Sequence, residues 1–175
     1  MKKPLAILLA LSCTFALAAP IGPEQALSAP TVEVERALPE SHPAVTYAYA
    51  KRLFEQGQRD NAVMWFYVGQ LRFRFHLRAN PSLPRDGEPA LMASLNSTIG
   101  QTINEWAGGS PKSWAASIEQ ALAWDLAHEN SITSKQVHSQ ALEDTRKGLA
   151  SLRESILSSE ENIRTQRRER GLENR

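Results

Sequence analysis

Apolar residues recur at helical spacing through most of the chain from residue 43 onward. Residues 43–56 and 59–75 each form one such amphipathic segment, and Gly57 marks a turn between them. A third segment starts with Pro89 in its first turn, and spacings of four, four, four and three residues give it one apolar stripe. The stripe consists of Leu91, Leu95, Ile99, Ile103 and Trp106.

The clearest boundary between helices is the run Gly108-Gly109-Ser110-Pro111. The glycines end the third helix, Ser110 caps the fourth, and Pro111 suits its first position. The fourth helix should end near Asn130, and a last long helix should run from Lys135 to about Arg170. No segment requires a strand. The pattern therefore predicts an all-α fold of about five helices, with antiparallel hairpins and a long C-terminal helix.

The first 18 residues have the layout of a secretory signal peptide. Lys2 and Lys3 precede an apolar run that is too short to span a bilayer permanently, and Ala16-Leu17-Ala18 offers small residues to a signal peptidase. We expect cleavage after Ala18 and location in the periplasm or outside the cell. A lipoprotein anchored through Cys13 is the alternative, although Leu11 before it is bulky.

The remaining chain divides into three parts. Four prolines between residues 19 and 42 predict an extended flexible tether with room for a short turn of helix near Glu24–Ser28. Residues 43–170 form the helical domain, and residues 171–175 form a disordered tail. Without the signal peptide, 18 basic residues stand against 19 acidic ones. A nearly neutral domain has no general attraction to nucleic acid or to an anionic membrane. The four histidines lack zinc-type spacing, so we expect no metal and no cofactor.

The segment 43–75 resembles a single tetratricopeptide-type or Sel1-like helical hairpin. The residues that match its pattern of small and large positions are Ala50, Leu53, Gly57, Ala62, Phe66 and Gly69. No second copy of the repeat is visible. In architecture, the chain as a whole also resembles small periplasmic immunity or adaptor proteins of Gram-negative bacteria, and this likeness implies binding to another protein.

Basic and aromatic residues alternate at the end of the second helix, before a proline-rich loop. The arginines Arg72, Arg74 and Arg78, with Arg85 in the loop, are candidates for contact with an acidic protein. The alternative is that they complement the dipole at a helix C-terminus. A second candidate surface is an aromatic groove at Trp106 and Trp114, although large aromatic side chains more often fill a core.

Acid–base candidates are few. Glu105, Asp125 and His128 are the best of them, and the last two are three residues apart on one helix. The sequence thus favours a periplasmic helical protein-binding module that neutralises or escorts an exported partner, as immunity proteins and chaperones do. Two alternatives remain: a hydrolase that acts on envelope polymers, and a structural envelope component that associates through its last helix.

Overall fold

The periodic segments of the chain are helices in the computed structural model, which describes residues 18–175. These residues contain no strand, which confirms the all-α class, but they form more helical segments than the five predicted. The helices are α1 Pro23–Ser28, α2 Thr31–Ala37, α3 Pro43–Glu55, α4 Arg59–Ala79, α5 Glu88–Leu95, α6 Gln101–Gly108, α7 Pro111–Ala127, α8 Ser139–Ser158 and α9 Glu160–Glu169, with a 3₁₀ turn at Leu38–Glu40 and a π-helical turn at Asn96–Gly100. Cys13 and nearly all of the expected signal peptide lie outside the described residues.

The segment 19–42 is not the extended tether that its prolines suggested. It contains α1, α2 and the 3₁₀ turn, and Ala26, Val34 and Leu38 are fully buried in the core. Pro23 occupies the first position of a helix, where a missing N–H costs nothing. The Arg52 guanidinium from α3 then holds the end of α1 by donating to the carbonyl oxygens of residues 26 and 29.

Helices α3 and α4 form the antiparallel hairpin at the centre of the molecule. Gly57 makes the turn with φ of 81°, a left-handed conformation that favours glycine. Gly69 lies so close to Tyr47 that an added Cβ would stand 2.9 Å from that ring, and Ala62 is fully buried. These small residues let the two helices approach closely, as the hairpin pattern predicts. The likeness to a tetratricopeptide or Sel1 repeat stays a prediction.

The third predicted helix is interrupted. Between α5 and α6 the backbone widens into the π-helical turn, whose last residue, Gly100, contacts Phe66. The side-chain oxygen of Asn96 in this turn accepts hydrogen bonds from the Tyr47 hydroxyl at 3.0 Å and from the Gln70 amide at 2.9 Å. The turn therefore contacts side chains from both helices of the hairpin. The apolar stripe of the third predicted helix gives no indication of these contacts.

The last predicted helix is also broken, at Ser159 between α8 and α9, and it begins at Ser139 rather than Lys135. Leu149 and Ile156 are buried against the core, so its apolar face packs on its own domain.

Residues 171–175, predicted as a disordered tail, turn at Gly171 and lie against α6, where the Arg175 N–H donates to the Gly109 carbonyl at 2.6 Å. None of the helices within residues 18–175 is both long and apolar enough to cross a bilayer.

Candidate binding surfaces

Arg72, predicted to contact a partner, is instead one of the largest fully buried side chains, with 1 % of its surface exposed. Its Nε donates to Asp125 Oδ1 at 3.2 Å, and its Nη2 donates to the carbonyl oxygen of Glu129 at 2.6 Å. The guanidinium also lies 4.6 Å from the centre of the Trp124 ring. It therefore cannot reach another protein, because every side of it is occupied.

Asp125 is completely buried and has three cationic neighbours. Besides Arg72, the Arg146 guanidinium lies 3.3 Å and the Lys135 ammonium 3.4 Å from its second oxygen. Lys135 and Arg146 also donate to backbone carbonyls near the C-terminal end of α7. Burial lowers the pKa values of Arg72 and Lys135, and the Asp125 carboxylate opposes that shift. We call these four side chains the Asp125 cluster.

The Asp125 cluster rules out the acid–base pair considered for Asp125 and His128. The carboxylate is enclosed by its cations, while the His128 ring stacks on Trp124 at 4.2 Å and its Nδ1 lies 2.7 Å from the Trp124 carbonyl oxygen. Neither group is placed to exchange a proton with the other or with a substrate. The arrangement is typical of a helix C-terminus whose carbonyls are bound by cations.

The rest of the predicted basic surface is exposed. Arg74, Arg78 and Arg85 are solvent-accessible, and Arg78 lies 3.6 Å from Asp144 of α8 in a loose, exposed ion pair. The proline-rich loop between α4 and α5 has backbone hydrogen bonds from Leu83 to Asn80 and from Gly87 to Pro84. This surface thus keeps three of its four predicted arginines.

The two tryptophans of the predicted aromatic groove have different roles. The Trp114 indole N–H donates to the Tyr67 hydroxyl at 2.8 Å, and that hydroxyl donates to Asn104 at 2.9 Å. Burial raises the pKa of Tyr67 to about 12. Trp114 is therefore part of a hydrogen-bonded chain between helices. Trp106, by contrast, lines a surface depression.

A continuous groove follows α6. Depressions of about 290, 390 and 320 Å³ adjoin one another, because the first shares Phe54, Arg59 and Thr102 with the second and shares Glu105, Arg167 and Leu172 with the third. At one end Ile99 and Ile103 lie among the charged side chains of Lys51, Glu55 and Arg59. We call the whole feature the α6 groove. Its walls are the α3–α4 turn on one side and the α9 end with residues 171–175 on the other.

The α6 groove carries more positive than negative charge. Its cationic residues are Lys51, Arg59, Arg167, Arg170 and Arg175, and its carboxylates are Glu55, Glu105 and Glu173. The Arg59 guanidinium lies 4.5 Å from the centre of the Trp106 ring. Sequence reasoning missed Arg59, Arg167 and Arg175 here, because only the fold brings the residue after a turn and the end of the chain to the same helix.

Two histidines meet near the start of α5. His42 Nε2 lies 3.0 Å from Glu88 Oε2, its Nδ1 accepts the Ala44 N–H, and His76 Nδ1 lies 2.8 Å from the Thr133 hydroxyl. The two rings are 6.1 Å apart. Within residues 18–175, no group of three or more histidine, cysteine or acidic side chains is arranged to hold a metal ion.

Comparisons of the chain with models of protein families, with curated proteins and with solved structures gave no match.

Proposed function

We propose that this protein is a helical binding module that holds a segment of another protein in the α6 groove. The supporting observation is the groove itself: three adjoining depressions that combine isoleucine side chains, the Trp106 ring and several guanidinium groups. Aromatic and arginine side chains contribute much of the binding free energy in protein interfaces.

The length of the groove favours a polypeptide. The side formed by the π-helical turn and α6 runs from Thr98 to Gly108. At 1.5 Å per residue this is about 15 Å. An extended chain covers that length with about five residues. The alternation of apolar and charged positions along the groove also matches the variety of side chains that such a segment presents. A small rigid ligand would fill only one of the three depressions.

The biological role that we propose is neutralisation or escort of an exported partner, after export of the chain and cleavage behind Ala18. The exposed surface of Arg74, Arg78 and Arg85 is the second candidate for the contact, because these side chains remain solvent-accessible beside an ordered loop. An envelope hydrolase has no comparable support, since Asp125 is enclosed and Glu105 alone provides no acid–base pair.

Site-specific photo-crosslinking in the periplasm of the producing cell tests this proposal. A photoreactive residue replaces Thr102 in the groove, Arg85 in the loop, or Ala123 on the exposed face of α7 as the matched control. We expect one defined adduct from position 102 and none from position 123. An adduct only from position 85 would move the contact to the basic surface, and indistinguishable adducts from all three would contradict specific binding. The same purified chain should begin at Ala19.

A further inference from the structure

The Arg175 side chain occupies a well-defined position on α6. Its guanidinium carbon lies 3.5 Å from the centre of the Trp106 ring, and its Nη2 donates to the Trp106 carbonyl oxygen at 3.0 Å. The same nitrogen lies 3.6 Å from Asp60 Oδ1. An aromatic face, a carbonyl and a carboxylate thus surround one guanidinium.

The Trp106 ring, its carbonyl and the Asp60 carboxylate are held together by contacts that do not involve a guanidinium. Asp60 Oδ1 accepts the Trp106 indole N–H at 3.1 Å, which fixes the ring relative to the carboxylate. The Trp106 carbonyl lies in the last turn of α6, where the helix dipole is negative. A planar cation with several N–H donors matches this combination of ring face and acceptors, whereas a compact ammonium could not use all of them.

The segment that supplies Arg175 is short and is attached like a bound peptide. It leaves α9 through the left-handed Gly171, and the Glu173 carbonyl accepts from Arg167 Nη2 at 2.7 Å. The Arg175 N–H donates to the Gly109 carbonyl, so the backbone is held at Glu173 and again at the arginine itself. Among its other side chains, the Asn174 amide donates to the Arg164 carbonyl at 3.0 Å and Leu172 lines the groove.

From this geometry we infer that Asp60, Trp106 and the end of α6 form a binding site for an arginine side chain. In the free protein Arg175 fills it, and an arginine of the partner segment replaces Arg175 when the α6 groove is occupied. The second part rests on the proposed function, while the first does not. Because Arg175 is attached through a short segment, its effective concentration at the site is in the millimolar range. It therefore competes with an arginine of another molecule, and only a ligand that makes further contacts in the α6 groove displaces it.

Arg59 allows a test of whether the charges near Trp106 favour or oppose the binding of a guanidinium. It lies over the same ring as Arg175, 4.5 Å from its centre, and it does not contact the Asp60 carboxylate as Arg175 does. Two guanidinium groups near one ring repel each other. Loss of the Arg59 charge should therefore strengthen binding of a second arginine, and loss of the Asp60 charge should weaken it.

The experiment uses the full mature chain with Arg175→Ala, which empties the site, and the peptide acetyl-Gly-Leu-Glu-Asn-Arg-amide as the probe. The control probe carries glutamine in place of arginine. Shifts of the Trp106 indole N–H resonance are followed in ¹⁵N-labelled protein, with thermal melting as the check of folding. We expect saturable millimolar binding of the arginine probe, about two- to tenfold weaker binding by the unaltered chain, and no binding of the glutamine probe.

Two double variants complete the design. Added to Arg175→Ala, the change Asp60→Asn should weaken the probe about fivefold or more, and Arg59→Gln should strengthen it about two- to threefold. Equal binding of both probes, equal binding by the unaltered chain, or failure of Arg175→Ala to bind while it melts normally would each overturn the site. The photo-crosslinking result is independent of all three, so the two proposals fail separately.

Discussion

At the scale of single residues, Arg72 and Arg74 show how neighbouring side chains of one type can have opposite environments. Successive positions on a helix point about 100° apart, so two residues separated by one position face different surroundings. Arg72 points towards Asp125 and the end of α7, while Arg74 points to solvent. The alternation of basic and aromatic residues predicts neither outcome, because a buried arginine depends on a carboxylate that is 53 positions away.

The Asp125 cluster predicts a large loss of stability on removal of its only carboxylate. Asp125→Asn keeps the shape of the side chain but removes the carboxylate that three buried or half-buried cations share. We expect the free energy of unfolding to fall by about 3–5 kcal/mol, as when one partner of a buried ion pair is removed. Urea-induced unfolding followed by circular dichroism measures it.

The matched control for Asp125→Asn is Glu119→Gln on the same helix. Glu119 pairs with Arg153 at 2.9 Å but is well exposed, so its loss should cost less than about 1 kcal/mol. Similar unfolding free energies for the two variants would show that the buried cluster contributes no more than a surface ion pair does.

At the scale of elements, the sequence predicted the α3–α4 hairpin well, because an apolar stripe and the left-handed Gly57 are local signals. It predicts only a short turn of helix where α1 lies and fails for α2, because prolines suit helix starts and connections as well as an extended chain. It also failed at the junctions within the third and fifth predicted helices. Helical periodicity continues across the π-helical turn at Asn96–Gly100, so the pattern contains no sign of that break. At Ser159 a polar residue interrupts the apolar seam, but one such interruption does not by itself predict the end of a helix.

The same distinction applies to the candidate site. Trp106 was predicted to belong to a binding groove, and it lines the α6 groove. Its partners Asp60 and Arg175 are 46 and 69 positions away and contact it only because α4, α6 and the chain end are packed together. Trp114 has an equivalent sequence signal, yet its indole is hydrogen-bonded to Tyr67. Local pattern identifies candidate residues, whereas topology decides which of them share a surface.

Two helical glycines, Gly100 in the π-helical turn and Gly148 in α8, should respond in opposite ways to substitution by alanine. An added Cβ at Gly100 would lie 2.7 Å from the Phe66 ring, so Gly100→Ala should destabilise the protein by about 1–3 kcal/mol. Gly148 lies inside α8 with open space around it, so Gly148→Ala should stabilise it by about 0.5–1 kcal/mol. Thermal unfolding should therefore shift in opposite directions. A shift in the same direction for both would contradict the close contact at Gly100.

At the scale of the whole molecule, His76 lies where four segments meet. It contacts Thr133 of the connection before α8, and it is near His42 of the α3 start and Glu88 of α5. Burial lowers the pKa of His76 below its ordinary value of 6.5; Glu88 opposes this shift, and His42 adds to it. The neutral ring is therefore favoured in the folded state more than in the unfolded state.

The pH dependence follows from that direction. The contribution of His76 to stability is complete above the unfolded pKa of about 6.5 and is lost as the pH falls from there through the lower folded pKa. His76→Asn retains a polar atom for Thr133 but does not titrate, so its stability should fall less than that of the unaltered chain between about pH 7.5 and pH 5. His138→Asn, at the start of α8, controls for the number of histidines. A steeper fall for His76→Asn would contradict the assignment.

The Asp125 cluster also has a consequence for how the molecule opens. Its four side chains come from α4, the end of α7, the connection after it and α8. Detachment of α7 leaves three cations without their shared carboxylate, and detachment of any other of these segments breaks one of the ion pairs. Partial opening at this place is therefore nearly as costly as global unfolding. Backbone amides of α4, α7 and the buried part of α8 should exchange their hydrogens with one common opening free energy, and α1 with its short neighbours should exchange earlier. The C-terminal half would then resist proteases as one unit with the central hairpin.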